Sequence, residues 1–139
     1  GSECIHATRI TIRNCKMENN SQIIRQKMRP DNYQLYENIT VENITGSCGT
    51  VIEMLPWKQF FNLAGTTEKP FATVRNITIS NLNVKCKSFG VMEGNPQDNV
   101  SSVVFKNITA TSDNPVLKTK YKGVKAQKVT VNGSPLVIQ

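Results

Sequence analysis

The chain has few of the features that would mark a membrane, metal or nucleic-acid protein. No apolar run exceeds about three residues, far below the ~20 needed to cross a bilayer, so no membrane span is expected. The opening residues GSECIH carry no basic segment followed by an apolar stretch, so no secretory signal is visible. Any such signal is expected to have been removed or left out of this sequence, and Gly1-Ser2 is either native or a cloning scar. Histidine occurs once, as His6, and none of Cys4, Cys15, Cys48 and Cys86 forms a CxxC pair. A structural zinc site and a disulfide-framework miniprotein are both disfavoured, and no metal or cofactor is expected. Aromatic residues are 6% of the chain and no recognition helix is visible, so a nucleic-acid partner is not expected either.

What the chain does have is positive charge. Seventeen Lys+Arg against ten Asp+Glu leave a formal charge of +7, which points to an anionic partner. The 139 residues suit one globular domain with a single core.

Repetition dominates the pattern. Five segments share a motif: Ile10–Cys15, Ile39–Ile44, Ile77–Leu82, Val103–Ile108 and Val129–Ser134. Their first residues are 29, 38, 26 and 26 positions apart. Apolar and polar residues alternate in each, as in a strand with one buried face, and Asn or Gly follows at a fixed offset. The long interval is explained by a loop insertion at 56–71, which carries Trp57, Phe60 and Phe61. A second strand follows each of the first four Asn positions. It places Arg25, Glu53, Glu93 and Lys118 at a nearly constant offset beyond Asn14, Asn43, Asn81 and Asn107. No ten-residue stretch has a helical period, and antiparallel hairpins would give alternating short connections. The fold class expected is therefore all-β, a parallel solenoid of about five coils within one domain, 1–139.

In that register Cys15 falls with Ile44, Leu82 and Ile108 and is expected to fill a core site. Cys48 and Cys86 each lie five residues past a repeat Asn and should stack. Two free thiols are favoured over a bridge, because parallel strands aim the two Cβ vectors side by side. Asn19, Asn38, Asn43, Asn76, Asn99 and Asn107 all satisfy N-x-[ST]. Asn43 and Asn107 occupy the repeat turn, where asparagine tolerates the left-handed conformation and its amide can pair with the next coil. They are read as ladder residues rather than sugar acceptors.

Superposed second strands put Arg25, Glu53, Glu93 and Lys118 in one outward column, with Lys27 on the same face as Arg25. The simplest account is a ladder of surface ion pairs. The segment Ile24-Arg25-Gln26-Lys27, with the ITIRN coil before it and YENITVENITG after it, resembles glycoside hydrolase family 28, the polygalacturonases. Met92–Ile108 and Lys128–Gly133 are similar to the terminal coils of bacterial members. The resemblance implies a right-handed parallel β-helix and hydrolysis of α-1,4-linked galacturonan with inversion. It also implies an extracellular or periplasmic setting. Arg25 and Lys27 match that family's R-x-K motif and would bind a galacturonate carboxylate, Arg through its planar fork and Lys as a point charge. Glu53, Glu93 and Trp57 are candidate cleft-lining residues; the insertion's aromatics Trp57, Phe60 and Phe61 either stack on sugar rings or, the favoured reading, pack on the solenoid's flank.

The family's catalytic motifs, N-T-D, D-D and G-H-G, do not occur here, and the three aspartates (Asp31, Asp98, Asp113) are scattered. The chain is thus expected to be the C-terminal part of such an enzyme, holding substrate-binding but no catalytic residues. One coil step of about 4.8 Å between Glu53 and Glu93 lies closer to the ~5–5.5 Å of a retaining pair than to the ~6.5–9.5 Å of an inverting one. A retaining site there is nevertheless rejected, because carboxylates flanked by Arg25 and Lys118 read as a salt-bridge column. A calcium-dependent lyase is disfavoured for want of an acidic cluster. The rival reading is a non-catalytic solenoid for carbohydrate binding or structure. A first coil without an upstream neighbour is expected to self-associate through residues 4–19.

Overall fold

The computed structural model describes residues 5–139; Gly1, Ser2 and Cys4, named above, lie outside them. Four long strands carry the fold: β1 (His6–Met28), β2 (Leu35–Pro56), β3 (Thr73–Met92) and β5 (Val103–Thr119). Shorter ones accompany them: β4 (Asn99–Val100), β6 (Val124–Val131), β7 (Ser134–Pro135) and β8 (Val137–Ile138). The described residues contain no helix. One sheet runs β1-β2-β3-β5-β6-β7, with β4 on β3 and β8 on β5. All pairs are parallel except β6–β7.

Strands of 23, 22 and 20 residues are far longer than the usual 3–10, and the chain bends them at fixed points. Asn14, Asn43, Asn81, Asn107 and Lys128 all have φ between 52° and 59°. Five residues earlier Arg9, Asn38, Asn76 and Ser102 do the same, with φ of 52–55°. Asparagine dominates these columns because its short polar side chain tolerates the left-handed region. Two of its amides tie neighbouring rows, Asn43 Nδ2 donating to Asn14 Oδ1 at 3.0 Å and Asn76 Nδ2 to Asn38 Oδ1 at 3.2 Å.

Between the bends the rows lie in register, Ile10 on Ile39, Ile77 and Val103, and Cys15 on Ile44, Leu82 and Ile108. The last row corrects the expected alignment. Val103 pairs with Val124, and Val129 pairs with Ile108. The final repeat is therefore shorter than the two before it, with Lys128 rather than Gly133 at the bend. Both straight pieces of a row alternate apolar and polar, so the VTV triplet fitted either one, and a lysine hid the turn.

Inward residues of β2, β3 and β5 form the core, including Val41, Ile44, Ile79, Leu82 and Leu117. Phe89 and Phe105 meet edge to face in its interior, centroids 5.6 Å apart. Rows approach so closely at Gly90 (φ 149°) that a Cβ there would stand 2.1 Å from the Ile52 carbonyl oxygen. Cys15 is a second correction. It does sit opposite Ile44, yet it is exposed, because among the described residues β1 has a pairing strand on one side only. Ile10 and Ile12 are likewise 37% and 44% exposed. Cys48 and Cys86 are register partners, buried and free.

Candidate functional site

The charged face forms where the second halves of the rows stack. Arg25 pairs in register with Glu53, Glu53 with Val91, and Val91 with Lys118. Three of the four expected column members are thus brought together. Glu93 is not one of them, since it lies two residues beyond Val91 and its N–H donates to the Met54 carbonyl at 2.9 Å. Counting explains the slip: irregularities between Met17 and Asn20 and opposite Ser88–Gly90 shift β1 and β5, whereas β2 and β3 run unshifted. The expected stacking of Glu53 directly under Glu93 does not occur.

Both carboxylates take cations. Arg25 Nε meets Glu53 Oε1 at 3.1 Å, and Gln22 Nε2 donates to the other oxygen of Glu53 at 3.4 Å. Gln22 was not singled out from the sequence, because it stands three residues before Arg25 and so falls off the outward alternation that marks the column. Lys118 Nζ meets Glu93 at 3.2 Å. About half of the Arg25 side chain stays exposed (49%), against 22% for Glu53. Exposed pairs of this kind contribute at most about 1 kcal/mol each, so they orient the cations more than they stabilise the fold.

Lys27 follows a different route. Its Nζ sits 4.0 Å from the centroid of the Trp57 ring, an attraction of about 0.5–2 kcal/mol. Trp57 opens the strandless segment 57–72, with its N–H on the Met28 carbonyl at 2.8 Å. That segment is clamped by β1's continuation. Arg29 grips both carboxylate oxygens of Asp31, at 2.8 and 2.7 Å, and donates to the Phe60 carbonyl at 3.0 Å. The guanidinium holds the Asp31 carboxyl below its ordinary range, chiefly through those hydrogen bonds. Farther along, Tyr33 donates to Glu68 at 2.6 Å and its ring meets Phe71 edge-on. Trp57 packs against Phe60, and its indole Nε1 is buried with no hydrogen-bond partner among the described residues. The ring is therefore a wall behind Lys27, and the freely presented aromatic is Phe60, 73% exposed.

A buried polar set fixes the turn after Glu93. Asp98 accepts from the N–H groups of Ala72 and Asn95, both at 2.8 Å, while Asn95 Nδ2 donates to the Met28 carbonyl at 3.0 Å. Gly94 N–H donates to Tyr121 Oη at 2.9 Å. The end of β1, the end of the 57–72 segment and the turn after β3 are so joined, and Lys120 reaches the Gly94 and Asn95 carbonyls beside it.

No family model, curated protein or solved structure matches this chain. What the face can do must come from its own geometry. Arg25 and Lys27 stand at one side of it, Lys118 and Lys120 three rows away, roughly 14 Å at about 4.8 Å per row. Beside the second pair lies a depression of about 690 Å³ floored by Gly90, Val91 and Val116 and edged by Glu93, Lys118 and Lys120. Among the described residues, no group of three His, Cys, Asp or Glu stands together.

Proposed function

We propose that this chain is part of a glycoside hydrolase acting on galacturonan, to which it contributes substrate-binding cations and no catalytic acid. The observation that supports the reading most is the placement of Arg25 and Lys27. They share one outward face two residues apart, Arg25 oriented by Glu53 and Lys27 backed by Trp57. A galacturonate carboxylate presented there meets a guanidinium edge and an ammonium together. The parallel rows, bent at two asparagine-rich columns, are in this reading coils of a right-handed β-helix, about five in number. The setting would be extracellular or periplasmic, where pectic polymers occur.

The Arg25–Glu53 and Lys118–Glu93 pairs also suit a second reading, a non-catalytic carbohydrate-binding or structural module whose face is neutralised internally. Titration with oligogalacturonates, beside a neutral galactan of equal length, separates an anion-selective face from one neutralised internally. The first reading expects binding that weakens with salt, falls at least tenfold in Lys27→Met and Arg25→Gln, and leaves the neutral sugar unbound. Equal affinity for both sugars, or indifference to both substitutions, refutes it. Reducing-end release from polygalacturonate by this chain is expected to be absent. A further part of the proposal is self-association along β1, whose outer edge pairs with no strand among the described residues and which exposes Ile10 and Ile12.

A further inference from the structure

The most isolated chemistry in the molecule lies away from the charged face. Cys48 on β2 and Cys86 on β3 are register partners, distant in sequence, both buried and both reduced. Register pairing sets the two side chains next to each other on neighbouring rows. Ser112 on β5 is the next residue in the same column. The pair is not sealed in, because Cys48 lines two surface depressions, of about 610 Å³ and about 480 Å³, and Cys86 lines the smaller. Lys85, Lys87 and Asp113 edge the smaller opening.

We infer that Cys48 and Cys86 form an oxidisable dithiol, closing reversibly to an inter-row disulfide on exchange with a small-molecule disulfide. Strand spacing brings the two Cα atoms to about 4.8 Å, inside the 4.4–6.8 Å range of bridged cysteines. In-register Cβ atoms begin about one strand spacing apart, roughly 4.8 Å, whereas a disulfide holds them at about 3.5–4.5 Å, so the rows must close by about 0.3–1.3 Å. The resulting strain makes the bond easier to reduce, and the site reversible rather than a permanent staple.

Exchange begins at a deprotonated sulfur, and the bonds made and broken are the same from either cysteine. Cys86 is drawn down to about 7, mainly because the Cys48 thiol donates to it and also through Ser112, with burial and Asp113 opposing. Cys48 is raised for the reciprocal reason. The Cys86 thiolate attacks one sulfur of the small disulfide, forming a mixed disulfide and expelling one thiolate. Cys48 then loses its proton and attacks the Cys86 sulfur, expelling the second thiolate. One protein disulfide forms, one external disulfide is reduced to two thiols, and both cysteine protons leave with them.

The test uses oxidised glutathione on the Cys4→Ser/Cys15→Ser chain, which keeps only the pair. The expected product is two hydrogens lighter, retains no glutathione, has no titratable thiol after unfolding, and regains both with dithiothreitol. Adding Cys48→Ala, or Cys86→Ala instead, is expected to trap one glutathione on the cysteine that remains, and a trap in neither variant overturns the inference. Two thiols surviving the oxidant, or a mixed disulfide that persists with both cysteines present, overturns the inference. Peptide mapping of the oxidised unsubstituted chain checks the same point without any variant. A 48–86 cross-linked peptide supports it, and a bridge from either residue to Cys15 refutes it.

Discussion

Gly90→Ala tests how tightly one row rests on the next. At φ 149°, in a region of the backbone map that glycine alone occupies readily, an L side chain is already strained by about 1–2 kcal/mol. The added Cβ would also meet the Ile52 carbonyl oxygen at 2.1 Å and Ile52 Cγ2 at 2.8 Å, in a contact between two backbones that cannot swing aside. Overpacking of that kind costs about 1–3 kcal/mol more, so the sum is about 2–5 kcal/mol. Gly65→Ala supplies the control. Gly65 also has positive φ, 77°, but nothing lies within 4 Å of its would-be Cβ, so only the conformational part of the cost applies. Urea unfolding followed by far-ultraviolet circular dichroism measures both variants at a shared m-value. Gly90→Ala is expected to be less stable than Gly65→Ala by at least about 1 kcal/mol. Equal midpoints would mean that the rows can part at Ile52 without cost, and the close-packed register would be wrong.

Asn43→Ala is expected to cost about 1–2 kcal/mol, because it keeps the left-handed φ of 57° without asparagine's tolerance for it. Asn43→Gly, which loses only the amide bond to Asn14, should cost under about 1 kcal/mol in the same urea assay. The Asp31 carboxyl is held below its ordinary value of 3.8 by Arg29. A depressed folded value means that the pair stabilises the folded arrangement above 3.8 and is lost as the pH falls through the lower one. Fluorescence of Trp57, the single tryptophan, should therefore report release of the 57–72 segment only below that value. Arg29→Met should release it at neutral pH. Light scattering should show the mass rising with concentration, and Ile12→Lys on the exposed face of β1 should abolish the rise. A chain that stays monomeric at high concentration refutes association along that edge.

The repeat was legible in the sequence because a bent parallel row needs the same two things each time. One is an alternating apolar piece, and the other is a residue that accepts positive φ. Ile10, Ile39, Ile77 and Val103 with Asn14, Asn43, Asn81 and Asn107 marked the register of four rows. The earlier bend at Arg9, Asn38, Asn76 and Ser102 was less legible, since arginine and serine do not announce a left-handed residue. Lys128 concealed the last bend for the same reason.

Of the charged face, the sequence located Arg25 and Lys27 on one side of a strand, a consequence of period two alone. Alternation is a local rule, set by covalent geometry, and needs no neighbour. Which side chain meets which is not local. One extra residue after Met17 and another in β5 decided that Glu53 would serve Arg25 and that Glu93 would serve Lys118. The folding-back of 57–72 decided that Trp57 would stand behind Lys27, because a segment without periodicity is placed only by what it touches, here Arg29, Tyr33 and Asp98. Exposure of Cys15 had the same origin. Its residue type and register both favour burial, but a side chain is buried by atoms on both sides, and only the assembled sheet determines whether a second side exists.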